Sequence, residues 1–113
     1  MIAGESAFRE YLSRLQGETR VALDTEADSL HCYFEKLCLI QISVPGHDLL
    51  IDPLAGFPLT PLFEGLEGKE LIIHGADYDL RLLRRVGFAT SAPVFDTMIA
   101  ARLCLGSFPT ISV

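Results

Sequence analysis

The stretch that most restricts what this chain can fold into is Val21-Ala-Leu-Asp-Thr-Glu26. Three apolar residues run into a carboxylate, a small polar residue and a second carboxylate. As a strand, the segment has a buried start and an acidic end. Strand side chains alternate faces with period two, so Asp24 and Glu26 project on the same side. Two carboxylates held that close repel each other unless positive charge sits between them. A divalent cation meets that need, because hard Mg²⁺ or Mn²⁺ prefers oxygen ligands. The same residues also read as an ordinary strand ending in a polar turn, with its acids in water. D-x-E is a frequent accident, and taken alone the segment favours this plainer reading.

The length of 113 residues gives one domain and leaves no room for two. Hydrophobic residues make up 50% of the chain, enough for a packed core and against intrinsic disorder. The net charge of −6 is awkward for binding phosphates, which normally needs a basic footprint, and it argues against a protein that coats DNA. It leaves room for a metal-dependent enzyme, whose bound cations invert the local field. No apolar run approaches the roughly 20 residues of a membrane helix, so no membrane partner is expected. Met1-Ile-Ala-Gly-Glu-Ser6 lacks the basic and long apolar regions of a secretory signal. Cys32, Cys38 and Cys104 are odd in number and form no C-x-x-C pair. Structural zinc and a disulfide framework are therefore not expected, and reduced thiols fit a cytoplasmic location.

Phe8, Leu12 and Leu15 recur at i, i+4 and i+7, which predicts an amphipathic helix over Ser6–Leu15 capped by Ser6 and stopped by Gly17. The strand with the acidic end follows from Arg20, and the polar region from Ala27 to Glu35 reads as a loop or hairpin connection. Lys36–Val44 (KLCLIQISV) is nearly all apolar and predicts a buried strand, in which Gln41 needs a hydrogen-bond partner. Pro45-Gly46 marks a turn and Asp48–Asp52 a third strand, so three strands with short links predict an antiparallel meander. Next come a short helix over Pro58–Leu66 with its start at Thr60-Pro61, and a strand over Glu70–His74. Asp77 is expected to cap a helix through Arg85, with Leu80, Leu83 and Val86 facing inward. Pro93–Asp96 reads as a brief strand, and Thr97–Leu105 as a helix with Asp96 at its N-cap. A meander followed by alternating helices and strands is an α/β fold with a mixed sheet.

His74-Gly-Ala-Asp-Tyr-Asp-Leu-Arg-Leu-Leu83 places two acids in one first helical turn. The helix dipole and free N–H groups stabilise acids there, which accounts well for Asp77 and less well for Asp79, pointing elsewhere around the helix. Together with VALDTEAD at 21–28, KLCLIQIS at 36–43 and FDTMIAARLCLG at 95–106, this stretch resembles the DEDD superfamily of 3′–5′ exonucleases, most closely the ribonuclease D type. The likeness spans Arg20 to Gly106 and implies a ribonuclease H-like mixed sheet. It further implies that Asp24 bridges two metal ions and that Glu26 binds one of them beside the attacking water. Asp79 is implied to be the third catalytic and metal-site residue, standing near the metals or holding their waters. The implied chemistry is hydrolysis of the terminal phosphodiester at a single-stranded 3′ end of RNA or DNA, with two divalent cations, Mg²⁺ or Mn²⁺. Thr25, Gln41, His74 and Asp96 are candidates for supporting or substrate-contacting positions.

The family's third motif, a Tyr-x-x-x-Asp or His-x-x-x-x-Asp on a later helix, has no match after Asp96. The fourth carboxylate and the water-orienting residue are then missing. The expectations that follow are a fold incomplete at its C-terminus, a poor catalyst on its own, and self-association through uncovered apolar surface. One rival reading is a non-catalytic remnant of the fold that binds nucleic acid or another protein chain. Another is a phosphatase of the haloacid dehalogenase class, which would need a second Asp where Glu26 stands. Several residues carry two readings each. Tyr33 and Phe34 would stack on a terminal base or pack internally. Arg81, Arg84 and Arg85 would complement a helix dipole or touch phosphates. His74 would be a satisfied strand-end histidine or a support for the site, and an N-cap accounts fully for Asp96.

Overall fold

The computed structural model describes residues 2–28, 36–90 and 92–105. Alternation along the first strand sets the architecture. In Arg20–Asp28 (β1), Val21, Leu23 and Thr25 are buried, whereas Arg20, Asp24 and Glu26 are exposed. One face of the strand therefore enters a core and the other stays open. The remaining strands are Lys36–Val44 (β2), His47–Ile51 (β3), Glu70–Ile73 (β4) and Val94–Asp96 (β5). They join β1 in one sheet of order β3-β2-β1-β4-β5. β1, β2 and β3 form the antiparallel meander, and β4 and β5 run parallel to β1. This is the α/β class with a mixed sheet that the pattern of elements implies.

The core fills one side of that sheet. Glu5–Leu15 (α1), Thr60–Leu66 (α2) and Ala76–Arg85 (α3) bring Phe8, Tyr11, Leu15, Leu62, Leu66, Leu82 and Leu83 against Val21, Leu23, Ile40, Ile42, Leu71 and Ile73. Thr97–Leu105 (α4) lies beside β5 and buries no residue, leaving Ile99, Leu103 and Leu105 exposed. Among the described residues no helix is long and apolar enough to cross a membrane.

Several local expectations are corrected. β1 does not end at its acids: Ala27 and Asp28 pair with Leu37 and Lys36, so the expected connection begins later. β2 is covered on one face only, and both Cys38 and Gln41 are exposed. The register with β1 slips between Glu26 and Ala27, leaving Cys38 as the extra residue of a bulge and turning Leu37 inward. Ser6 caps nothing, because α1 starts one residue earlier on Gly4 in extended conformation. Tyr11 takes the deep position expected of Leu12, since its hydroxyl donates to the carbonyls of His47 (2.8 Å) and Ile42 (3.3 Å). Asp77 does not cap α3. It is exposed, 3.5 Å from Arg81, and the N-cap is Gly75 in the left-handed region at φ 73°. Val86 lies outside the core at 39% exposure, and Leu82 is buried in its place. The readings of Cys32, Tyr33, Phe34 and the tail after Leu105 fall outside the described residues.

Candidate functional site

The acids gather where β1 outruns its neighbour. β4 pairs with β1 only over Arg20–Ala22, so beyond that stretch no strand among the described residues pairs with this edge of β1. The first turn of α3 comes up to this edge and carries Asp79, which is 4% exposed. The Thr25 hydroxyl donates to Asp79 Oδ1, and the Thr25 backbone N–H donates to the same carboxyl. Burial raises the Asp79 pKa above the usual carboxylate range. The Thr25 bonds oppose that rise, and the neighbouring charges of Asp24 and Asp96 add to it. Asp79 thus lies within the field of Asp24 but reaches β1 from the core side.

Asp24 and Glu26 project from the open side. The register sets Gln41 opposite Asp24 and Leu39 opposite Glu26. Cross-strand partners share a face, so Gln41 stands beside Asp24, exposed rather than buried. A shallow hollow of about 200 Å³ is lined here by Ala22, Leu23, Asp24, Gln41 and Ser43. A more apolar cavity of about 610 Å³, with Leu37, Phe57, Phe63 and Leu82 in its walls, opens on the helix side and contains none of these acids. The structure therefore brings Asp24, Glu26 and Asp79 to one end of one strand, with Thr25 between them. It does not merge them into a cage: among the described residues, no three His, Cys, Asp or Glu side chains are grouped to hold an ion. The chemistry of Asp24 and Glu26 still fits a divalent cation. They are two exposed oxygen donors on one strand face, with no salt bridge to either among the described residues.

Asp96 and His74 bind the ends of the neighbouring strands together. Asp96 Oδ1 accepts from the N–H groups of Gly75 (3.0 Å), Met98 (2.9 Å) and Ile99 (3.4 Å), while Oδ2 accepts from Ala76 (2.7 Å). Burial works against its ionised form, but these four donors outweigh it and hold the carboxyl below its usual pKa. The N-cap role read from sequence holds for α4, and the same side chain also serves the start of α3. His74 Nδ1 lies 2.9 Å from Thr97 Oγ1 across the same pair of strand ends. The sequence named Thr25 and Asp96 only as supporting candidates. Their contacts with α3 had one faint signal, the unexplained second acid in the turn at 77–79.

A family profile described as 3′–5′ exonuclease matches residues 1–106. The chain belongs to the 3′–5′ exonuclease family. This exonuclease domain is 38% identical over 101 residues to a ribonuclease D from Jannaschia sp., an alignment covering 83% of the chain and 26% of that relative. Among solved structures, Escherichia coli RNase D, described as an exoribonuclease involved in structured RNA processing, superposes with a TM-score of 0.84 at 29% identity. That match covers 99% of this exonuclease domain and 30% of the RNase D chain. Brucella melitensis NrnC bound to pGG follows at a TM-score of 0.70 and 30% identity, over 87% of this chain and 50% of that one. The chain spans about a quarter of the length of the curated relatives it matches. Exonucleases of this kind typically work with divalent metal ions.

Proposed function

We propose that this domain hydrolyses the 3′-terminal phosphodiester of single-stranded nucleic acid, with Asp24 and Glu26 as the carboxylates that hold divalent cations, Mg²⁺ or Mn²⁺. The observation that carries the reading is the exposed Asp24–Glu26 pair on one face of β1, in a chain matched to 3′–5′ exonucleases over residues 1–106. In the reaction, water adds across the bond between phosphorus and the 3′-oxygen. It leaves a 3′-hydroxyl on the shortened strand and a nucleoside 5′-monophosphate. Cations held by the pair would generate the attacking hydroxide and stabilise the leaving oxygen. Asp79 acts from behind, fixing Thr25 and with it the backbone from which both acids project. Gln41, beside Asp24, is placed to donate to a phosphate oxygen. The likeness to E. coli RNase D, an exoribonuclease, and to NrnC bound to pGG supports a nucleic-acid substrate. The exposed Phe95, Ile99, Leu103 and Leu105 support self-association of the 113-residue chain, an idea that a concentration-independent monomer mass in sedimentation would remove.

The test uses 5′-labelled single-stranded RNA and DNA of one sequence, incubated with the chain and Mg²⁺ or Mn²⁺. A ladder shortening from the 3′ end is expected, and the RNA and DNA arms decide between the two polymers. Asp24→Asn should slow trimming at least about a hundredfold, since even residues that merely support metal ligands cost up to that much. Trimming that survives Asp24→Asn would sink the assignment. Mn²⁺ binding by calorimetry without any trimming would favour the non-catalytic binding reading, for which the seating of Asp79 on Thr25 speaks. Hydrolysis of a small phosphomonoester, with no action on either oligonucleotide, would favour the phosphatase.

A further inference from the structure

Asp96 has no place in the chemistry just described, yet its one carboxylate accepts from four backbone N–H groups. An ordinary N-cap satisfies the N–H groups of its own helix. Asp96 does that for α4 through Met98 and Ile99. It also reaches back 20 and 21 residues to Ala76 and Gly75, the first residue and N-cap of α3. α3 has no capping side chain of its own, and its N-cap is a glycine in the left-handed region. Its starting point is therefore set from β5. Asp79 lies three residues past Ala76, about one helical turn along and on the same side. From there it meets Thr25, the residue between Asp24 and Glu26.

We infer that Asp96 is the positioning residue of the acidic site, a clasp that sets the start of α3 so that Asp79 reaches Thr25 and holds Asp24 and Glu26 in register. The chain of contacts is continuous: Asp96 to Ala76 and Gly75, one turn of α3, Asp79 to Thr25, and then the flanking acids. Both carboxylate oxygens are needed, one for the α4 donors and Gly75, the other for Ala76. An asparagine would keep the acceptor at Oδ1 but present an NH₂ group to the Ala76 N–H, donor against donor. Asp96→Asn thus spares the α4 cap, for which Asn and Asp are equivalent, and the bond to Gly75, but replaces the bond to Ala76, the first residue of α3, with a donor facing a donor. The role of the clasp toward a cation rests on the function proposed above; its hold on Thr25 does not.

The experiment measures residue-resolved amide hydrogen exchange and Mn²⁺ affinity in the full chain, for the parent, Asp96→Asn and Leu66→Ala, a core variant remote from the clasp. In Asp96→Asn, the Ala76 and Thr25 amides should exchange about tenfold faster relative to the core amides of Ile40 and Ile42, with Met98 still protected. Mn²⁺ should bind several-fold more weakly, whereas Leu66→Ala should lower the thermal midpoint and leave Mn²⁺ affinity at the parent's. Thr25 protection unchanged in Asp96→Asn would overturn the inference and reduce Asp96 to a cap. Mn²⁺ weakening no greater than in Leu66→Ala would overturn its role toward the acid pair. A parent chain that binds no Mn²⁺ would instead defeat the proposed function, and the exchange of Thr25 would still decide the clasp.

Discussion

Asp79 and Asp96 are both acids at helix starts, and their surroundings push them in opposite directions. Burial and the charges of Asp24 and Asp96 raise the pKa of Asp79, so the folded state holds its proton more tightly than the unfolded chain does. Its contribution to stability is present below the unfolded pKa and is lost as pH rises through the folded value. Asp96 is depressed by its four N–H partners, so its contribution is present above the unfolded pKa and fades as pH falls through the folded value. Asp79→Asn should separate the two. An asparagine can accept from the Thr25 N–H and donate to the Thr25 hydroxyl, keeping the contact while removing the charge. The variant is expected to melt a few degrees above the parent at neutral pH, the shift that about 1 kcal/mol produces in a domain of this size. That advantage should vanish in acid, where the parent's Asp79 is protonated. Thermal midpoints measured across pH check this, and equal midpoints at neutral pH would mean that the buried charge carries no penalty. A carboxylate kept at such a position against stability is a common sign of a functional residue.

At the level of elements, much could be read directly, and each lapse has a local cause. Except at the end of β1, which runs on past its acids to Asp28, the helices and strands lie within a residue or two of the sequence pattern because glycine and proline punctuate short apolar runs: Gly17 after α1, Pro45-Gly46 between β2 and β3, Gly68 before β4, Gly87 after α3. The phase of β2 was hidden because KLCLIQISV is nearly continuous in apolar residues, and alternation then cannot say which side is inward. The bulge at Cys38, which sits against Glu26 with its thiol donating to the Glu26 carbonyl (3.3 Å), left no trace in composition. Caps failed for a different reason. Ser6 and Asp77 stand where local rules put a capping residue, but α1 starts earlier and α3 takes its cap from Asp96, far along the chain. The acids at 24, 26 and 79 were legible as types and spacings. Their division between two faces of β1 was not, because it depends on where β4 stops and α3 begins.

Charge across the whole molecule leads to a test that needs no substrate. Fifteen acidic residues stand against nine basic ones, and Asp24 and Glu26 face outward with no salt bridge among the described residues. A cation that binds this pair binds only the folded chain, because unfolding disperses the two carboxylates and the strand that aligns them. Binding to the native state alone stabilises it by about 2.7 kcal/mol at a free concentration a hundredfold above Kd. For a domain near this size, that raises the thermal midpoint by roughly 10 °C or more. Non-specific screening of the net charge also stabilises, but any salt supplies it at matched ionic strength. Mn²⁺ is therefore expected to raise the midpoint well beyond NaCl of equal ionic strength. Chelation should reverse the gain, and Asp24→Asn should lose most of it while melting near the parent in the absence of metal. Equal shifts from Mn²⁺ and NaCl would leave only a diffuse response to charge, and the acid pair would then be no cation site.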